Sequence, residues 1–327
     1  MTREETLLER IGAAGASAAS MGSGSRWQRV LMIGLAVLIV GCLAAAIASQ
    51  WSKLPDIQWR FAPGWLVLSL AALVAFQFVH ATLWVLILRA LGAPIQATRG
   101  RAVWSLTLLA RYVPTNIALA VSRMALAERE GVPKRICGAS IVYELGFTFG
   151  GAAALGAYFV VTLPDLSDQP LRWLALAAPV LSLVALDPAI FHRFADAALT
   201  RLGRATLPLS LSRLRVLGFF AAFVASFLIA GFAVYAFAEA IHGVAGDDIP
   251  TTIGAYSVGF AASVVAFVLP GGLGAREGAM AAALSPALPF AVALAVAVGI
   301  RLAQMAIEVL YAAITPVLAR RASRADG

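Results

Sequence analysis

The chain has 327 residues, 61% hydrophobic and only 13% charged, with a formal net charge of +8 and a mean hydropathy of +0.86. Soluble domains are about 45–50% apolar and about 25% charged, so this excess excludes a single soluble core and predicts a polytopic membrane protein. The basic surplus is scattered over separate loops with no long basic tail, which fits loop charge that sets topology and gives no reason to expect a nucleic-acid partner.

In chain order, residues 1–29 are polar and punctuated by Gly and Ser, a cytoplasmic tail with a short helix over Arg3–Ile11. "AIAS" at Ala46–Ser49 resembles a signal-peptidase site, but the region before it is long and carries acids, unlike a secretory leader. An uncleaved first span, Val30–Ser49, is the better reading. A helix needs roughly 20 apolar residues to cross the bilayer. Trp65–Leu88, Cys137–Thr162, Arg172–Ile190, Val216–Ile241 and Phe290–Ala319 meet that need, Arg172–Ile190 being the shortest and ending at Asp187-Pro188. Residues 320–327 form a basic cytoplasmic tail.

Two further apolar regions do not fit single spans. Ala102–Val121 has Arg111 and Pro114 in its middle, and Thr251–Leu288 is too long and is split at Pro270-Gly271-Gly272. The loops 89–101, 123–135 and 191–215 are basic, whereas those around Asp165/Asp168 and Asp247/Asp248 are acidic. Basic loops belong inside. Ala102–Val121 must then leave and return on the cytoplasmic side, and Thr251–Leu288 on the outer side. The expected fold is an all-α polytopic membrane protein: about six full spans plus two re-entrant helical hairpins. Its halves, about 30–162 and 172–319, form an inverted repeat within one transmembrane domain, a known transporter plan.

Ionisable residues at membrane depth are costly unless partnered or wet. The candidates are Glu144, Arg276, Glu277, Arg301, Glu308 and Arg111. Arg301, Gln304 and Glu308 share one helical face, which should turn inward. One reading is a polar cavity where Arg276 and Arg301 receive an anion, with the glutamates as counter-charges. The other is a closed salt-bridge network that pins the hairpins. Arg123 follows Pro114 by nine residues as Arg276 follows Pro270 by six, and has two readings: a lesser member of the same cavity, or an interfacial arginine that snorkels to water. Pro270, Gly271, Gly272 and Gly274 would turn the second tip and let a ligand approach the backbone; Pro114 and Asn116 sit at the first. Cys42 and Cys137 lie in apolar runs without CxxC spacing, and His80, His192 and His242 are far apart. No disulfide framework, metal or cofactor is therefore expected. "GLGAREG" is not a dinucleotide fingerprint, since Glu277 takes the last glycine position, and no catalytic motif is present; the chain does not read as an enzyme.

"PGGLGAREGAM" (270–280) resembles the P-G-G-[LI]-G-x-R-E-G signature of the lysylphosphatidylglycerol synthase transmembrane region, a flippase-like family. "ARYVPTNIALAVSRMALAEREGVP" (110–133) with "VYELGF" (142–147) is similar to its other, looser signature, with Thr115 where the family has glycine. The resemblance covers the chain from about Val30. It implies the membrane part without the aminoacyltransferase domain that follows it in the synthases, and a role in moving a lipid between leaflets of the bacterial inner membrane. The expected substrate is an amphiphile with a charged head group, such as an aminoacylated phospholipid or a polyprenyl-phosphate-linked sugar. The expected partners are membrane lipids and an envelope lipid- or glycan-modifying enzyme, and a homo-oligomer stays open. The rivals are a non-transporting scaffold for such an enzyme and a small-solute or ion transporter.

Overall fold

A computed structural model describes residues 59–112, 118–163, 168–201, 205–207, 210–265 and 274–325. Among these, all regular structure is helical, and four helices are long and apolar enough to cross a membrane: α1 (Pro63–Ala90), α4 (Lys134–Thr162), α7 (Arg213–Ile241) and α10 (Phe290–Ala325). They coincide with four of the expected spans. The first expected span, Val30–Ser49, and the N-terminal helix lie outside the described residues. Each long helix has apolar residues on both its buried and its exposed sides, which suits burial in a bundle with lipid on the far side. On α1, Leu73 and Trp84 are buried while Val67, Val74 and Phe78 are exposed.

The expected fifth span, Arg172–Ile190, is broken. A 3-10 turn, Pro170–Leu176, runs into the short α5 (Ala177–Ala185), and α6 (Pro188–Arg201) leaves at 64°. The cause is local. Pro188 cannot continue a helix through its missing N–H. Asp187 restarts one instead, its Oδ1 accepting from Ala189 N at 3.0 Å. Its Oδ2 accepts from Arg213 Nε at 2.8 Å, which ties the bend to the start of α7. The described structure thus has four clear spans, or five if the bent pair counts as one.

The two regions that do not fit single spans form pairs of short helices. α2 (Ala97–Leu108, extended by a 3-10 turn Leu109–Tyr112) packs on α3 (Ala118–Arg129). α8 (Ile249–Val265) packs on α9 (Ala275–Leu284). At 1.5 Å per residue these helices run about 15–26 Å, less than the roughly 30 Å of a bilayer core. The first pair returns to the end it left: Arg99 near the start of α2 lies 3.3 Å from Glu130, just past α3. Gly131 then takes φ 82°, where a side chain would be strained, and turns the chain into α4. In the second pair Gly259 lets α8 meet α9 closely; a Cβ there would stand 3.0 Å from the Arg276 carbonyl oxygen and from Met280 Cβ.

Two buried apolar clusters divide the bundle. One gathers Trp84, Trp104, Tyr143 and Phe147 around α2 and α4. The other gathers Leu73, Phe227, Tyr256, Leu284 and Val296 around α8, α9 and α10. α4 and α7 run from the first to the second; α1 runs the opposite way. α1 starts beside the end of α7, with Arg60 N donating to Ile241 O at 3.0 Å and Ala62 N to Ala240 O at 2.9 Å. The packing is crossed: α4 lies against α8, and α10 lies against α2.

Candidate functional site

Each helix pair delivers one arginine inward by the same construction. Trp104 is the eighth residue of α2 and Tyr256 the eighth of α8. The Arg123 guanidinium, from α3, lies over the rings of Trp84 and Trp104 at 5.2 and 5.8 Å. The Arg276 guanidinium, from α9, lies 4.8 Å over the Tyr256 ring. In each case arginine and aromatic share one acceptor on the next long helix.

In the first unit that acceptor is Glu144 on α4. Its Oε1 accepts from Trp104 Nε1 at 2.5 Å, and its Oε2 pairs with Arg123 Nη1. Arg123 Nε also donates to Thr107 Oγ1 at 3.0 Å. In the second unit the acceptor is Gln304 on α10. Its Oε1 accepts from Arg276 Nη2 at 3.0 Å and Tyr256 Oη at 3.3 Å, while its Nε2 donates to Glu308 Oε1 at 3.0 Å. Arg301 Nε lies 3.4 Å from Glu277 Oε1, an ion pair without hydrogen-bond geometry. Glu277 Oε2 accepts from Gly274 N at 2.6 Å and so caps α9. Gly274 there adopts φ 81°, again a backbone state suited to glycine.

A cavity of about 220 Å³ opens between the two units. Arg123, Glu144 and Trp104 line it from one side, Arg276, Gln304 and Tyr256 from the other, with His80 and Gln77 on α1 between them. His80 Nε2 is 2.9 Å from Ser226 Oγ. Gln77 is 1% exposed, and its Nε2 has no hydrogen-bond partner, an uncommon state for a buried amide. A larger groove of about 640 Å³ runs between α4 and α6. It is apolar except for Lys134 and Arg135 and contains none of the expected site residues.

Of the expected site residues, Glu144, Arg276, Glu277, Arg301 and Glu308 are all buried. Glu144 and Arg276 reach the cavity; Arg301, Glu277 and Glu308 stand behind its wall. Arg111 lies on the 3-10 turn that ends α2, with its side chain outside the described atoms. Pro114, Asn116, Pro270, Gly271 and Gly272 fall outside the described residues.

Of the two readings of Arg123, the interfacial one is corrected and the cavity one fits. Arg123 is no interfacial arginine: it is 2% exposed and held in an ion pair. α3 continues to Arg129, so Arg123 and Ala127 face the core while Glu128 and Arg129 face out. Trp104, Tyr256 and Gln77 complete the cavity without having been expected there, and Gln304, expected on the inward face of its helix, joins them. A signal for the first two exists in the chain: Trp104-Ser105 precedes Arg123 much as Tyr256-Ser257 precedes Arg276, by nineteen and twenty residues.

No curated protein matches the sequence. The family model for the lysylphosphatidylglycerol synthase TM region matches residues 31–312, nearly the whole chain and every named residue of both units. The chain is a multi-pass membrane protein that belongs to this lysylphosphatidylglycerol synthase transmembrane-region family.

Proposed function

We propose that the chain is a lipid translocase of the bacterial inner membrane, with both termini cytoplasmic. In this reading the two short helix pairs are re-entrant hairpins from opposite faces. They belong to two inverted halves, about 30–162 and 172–319, each with three crossings. The opposite run of α1 and α7, the crossed packing and the repeated aromatic–arginine–acceptor unit support that arrangement. Irregular backbone at membrane depth is tolerable where it is enclosed by protein or lines a cavity, and transporters place substrate sites between such broken helices.

The observation that carries the reading is the cavity that receives one arginine from each hairpin. At about 220 Å³ it is smaller than most small-molecule pockets, roughly 300–1,000 Å³. It suits a head group rather than a whole amphiphile, so acyl or prenyl tails would stay in the bilayer. Arg276 would hold the anionic part of the head group; Glu144 and Gln304 would orient the arginines. Mid-membrane charge is costly, and an arginine held behind a ring and an amide would lower the cost of passage of an anionic head group.

The test is leaflet exchange of labelled anionic lipid in proteoliposomes. Wild type should exceed protein-free vesicles, and Arg276→Gln should lose about tenfold or more of that excess while unfolding at a similar temperature. Exchange equal to that of empty vesicles would overturn the proposal and favour the scaffold reading. Exchange of ions or small solutes in place of lipid would favour a solute transporter.

A further inference from the structure

α4 and α10 carry the acceptors of the two arginine units, Glu144 and Gln304, and they differ in what covers them. Both helices are turned alike about the acceptor. Val142 and Leu302, two residues before it, are 54% and 61% exposed, and Phe149 and Val309, five residues after it, are exposed as well. The positions two and six residues after it diverge. On α4 these are Gly146 and Gly150, and the end of α5 lies against them. Ser182 Oγ donates to the Gly146 carbonyl oxygen at 2.9 Å. A Cβ on Gly146 would stand 2.6 Å from Leu186 Cδ2, and one on Gly150 2.6 Å from Ser182 Oγ. On α10 the same positions are Ala306 and Leu310, both exposed among the described residues. Ala313, Ile314 and Val317 continue that exposed stripe on one helical face.

We infer that the apolar segment Val30–Ser49 packs antiparallel on the face of α10 that carries Ala306, Leu310, Ile314 and Val317, as α5 packs on α4. The inference rests on the inverted-half reading above, in which this segment and the bent α5–α6 pair take equivalent places. The residues fit. Gly34, Gly41, Ala45 and Ala48 share one helical face, and small residues let membrane helices approach closely. The roles are exchanged between the halves. On α4 the receiving helix supplies the glycines and Leu186 the bulk; on α10 the receiving helix supplies the bulk and Val30–Ser49 the small face. The levels agree too. Gly41 is twelve residues past Arg29, the last cation before the segment, and Leu310 is ten before Arg320, the first cation after Arg301. With both basic ends cytoplasmic, Gly41 meets Leu310 and Ala45 meets Ala306. The connection reaches. Ten residues lead from Ser49 to Trp59, up to about 33 Å of extended chain. The next residue, Arg60, is bonded to the end of α7, which itself packs on α10. So placed, the segment would back the stretch of α10 that holds Gln304 and Glu308 inward.

The experiment is disulfide cross-linking of the full chain in proteoliposomes, in a background carrying Cys42→Ser and Cys137→Ser. Pairs of cysteines are introduced, oxidised with copper–phenanthroline and read by mass spectrometry of the digested chain. The test pairs are Ala45→Cys with Ala306→Cys, and Gly41→Cys with Leu310→Cys. The controls join Ala45→Cys to Val74→Cys on α1 or to Val142→Cys on α4, both exposed apolar positions. A disulfide needs Cα atoms within about 7 Å, so the test pairs should cross-link about fivefold or more above the controls.

Cross-linking no stronger on α10 than at the controls would overturn the inference and leave that face to lipid. A covalent dimer formed by Leu310→Cys alone would assign the face to a second copy of the chain and overturn it as well. If Gly41→Cys fails to fold, the Ala45 and Ala306 pair decides the matter. Lipid exchange by the same vesicles before oxidation keeps the two readings apart. Exchange without the cross-link overturns the docking alone; the cross-link without exchange overturns the transport reading alone.

Discussion

The two short helix pairs place the same three side-chain types in the same relation and reach different electrostatic ends. Around Arg123 the acceptor is a carboxylate, so charge is cancelled on the spot. Around Arg276 the acceptor is an amide, and the nearest carboxylate beyond it, Glu308, acts through that amide. Aromatic rings flank both guanidinium groups, and cation–π contact of this kind stabilises a desolvated cation by up to about 2 kcal/mol. The comparison teaches that the same geometry can serve two electrostatic arrangements. One atom exchange at the acceptor, oxygen for nitrogen, separates a direct ion pair from an arginine held by a neutral amide.

The largest expected effect breaks the first unit. Arg123→Met strands Glu144 in a buried place and should lower stability by about 3–5 kcal/mol, seen as a lower unfolding midpoint in detergent. Adding Glu144→Leu should restore most of the loss, because an apolar pair can replace a buried ion pair. A double variant as unstable as the single one would mean that charge compensation is not what Glu144 provides. Next, Trp104→Phe removes a donor to that carboxylate and should cost about 1.5–3 kcal/mol in the same measurement.

The packing of the halves offers a third comparison. A Cβ on Gly231 would stand 2.3 Å from the Ile253 carbonyl oxygen, where α7 meets α8. A Cβ on Gly100 would meet a Val85 methyl at 2.5 Å, where α2 meets α1. A methyl on a side chain can turn away more easily than backbone can. Gly231→Ala should therefore cost about 1–3 kcal/mol, and Gly100→Ala measurably less. Equal losses would show that the α1–α2 contact is as unyielding as the α7–α8 one. The smallest effect belongs to Tyr256→Phe. It removes a 3.3 Å hydrogen bond to Gln304 and should cost about 0.5–1 kcal/mol; a loss as large as that of Trp104→Phe would erase the difference between the units.

Much of this architecture is legible in the sequence because membrane helices declare themselves by length. α1, α4, α7 and α10 start within three residues of their expected spans. The five charged candidates with described side chains, from Glu144 to Glu308, were marked by depth in apolar segments and are all buried. Arg123 was not legible in that way. It stands next to a run of charged residues, and charge density reads as loop even when the helix continues and turns one face inward. The bend at Asp187-Pro188 is visible as a proline, but its consequence depends on Asp187 reaching Arg213, a contact set by tertiary packing. Gln304 shares a face with Arg301 by spacing alone. That it receives Arg276 follows only from how α9 lies against α10.

Glu277 divides its two oxygens between the first turn of α9 and the last long helix. One holds Gly274, the residue from which the returning limb starts; the other faces Arg301 a third of the way along α10. The carboxylate is therefore a clasp between the start of α9 and the body of α10. A sliding or tilting of α10 that withdrew Arg301 would leave that oxygen without its cation and load the backbone turn at Gly274. Motion of the longest helix would be felt at the start of α9 through Glu277, alongside the Arg276–Gln304 contact that joins the same two helices.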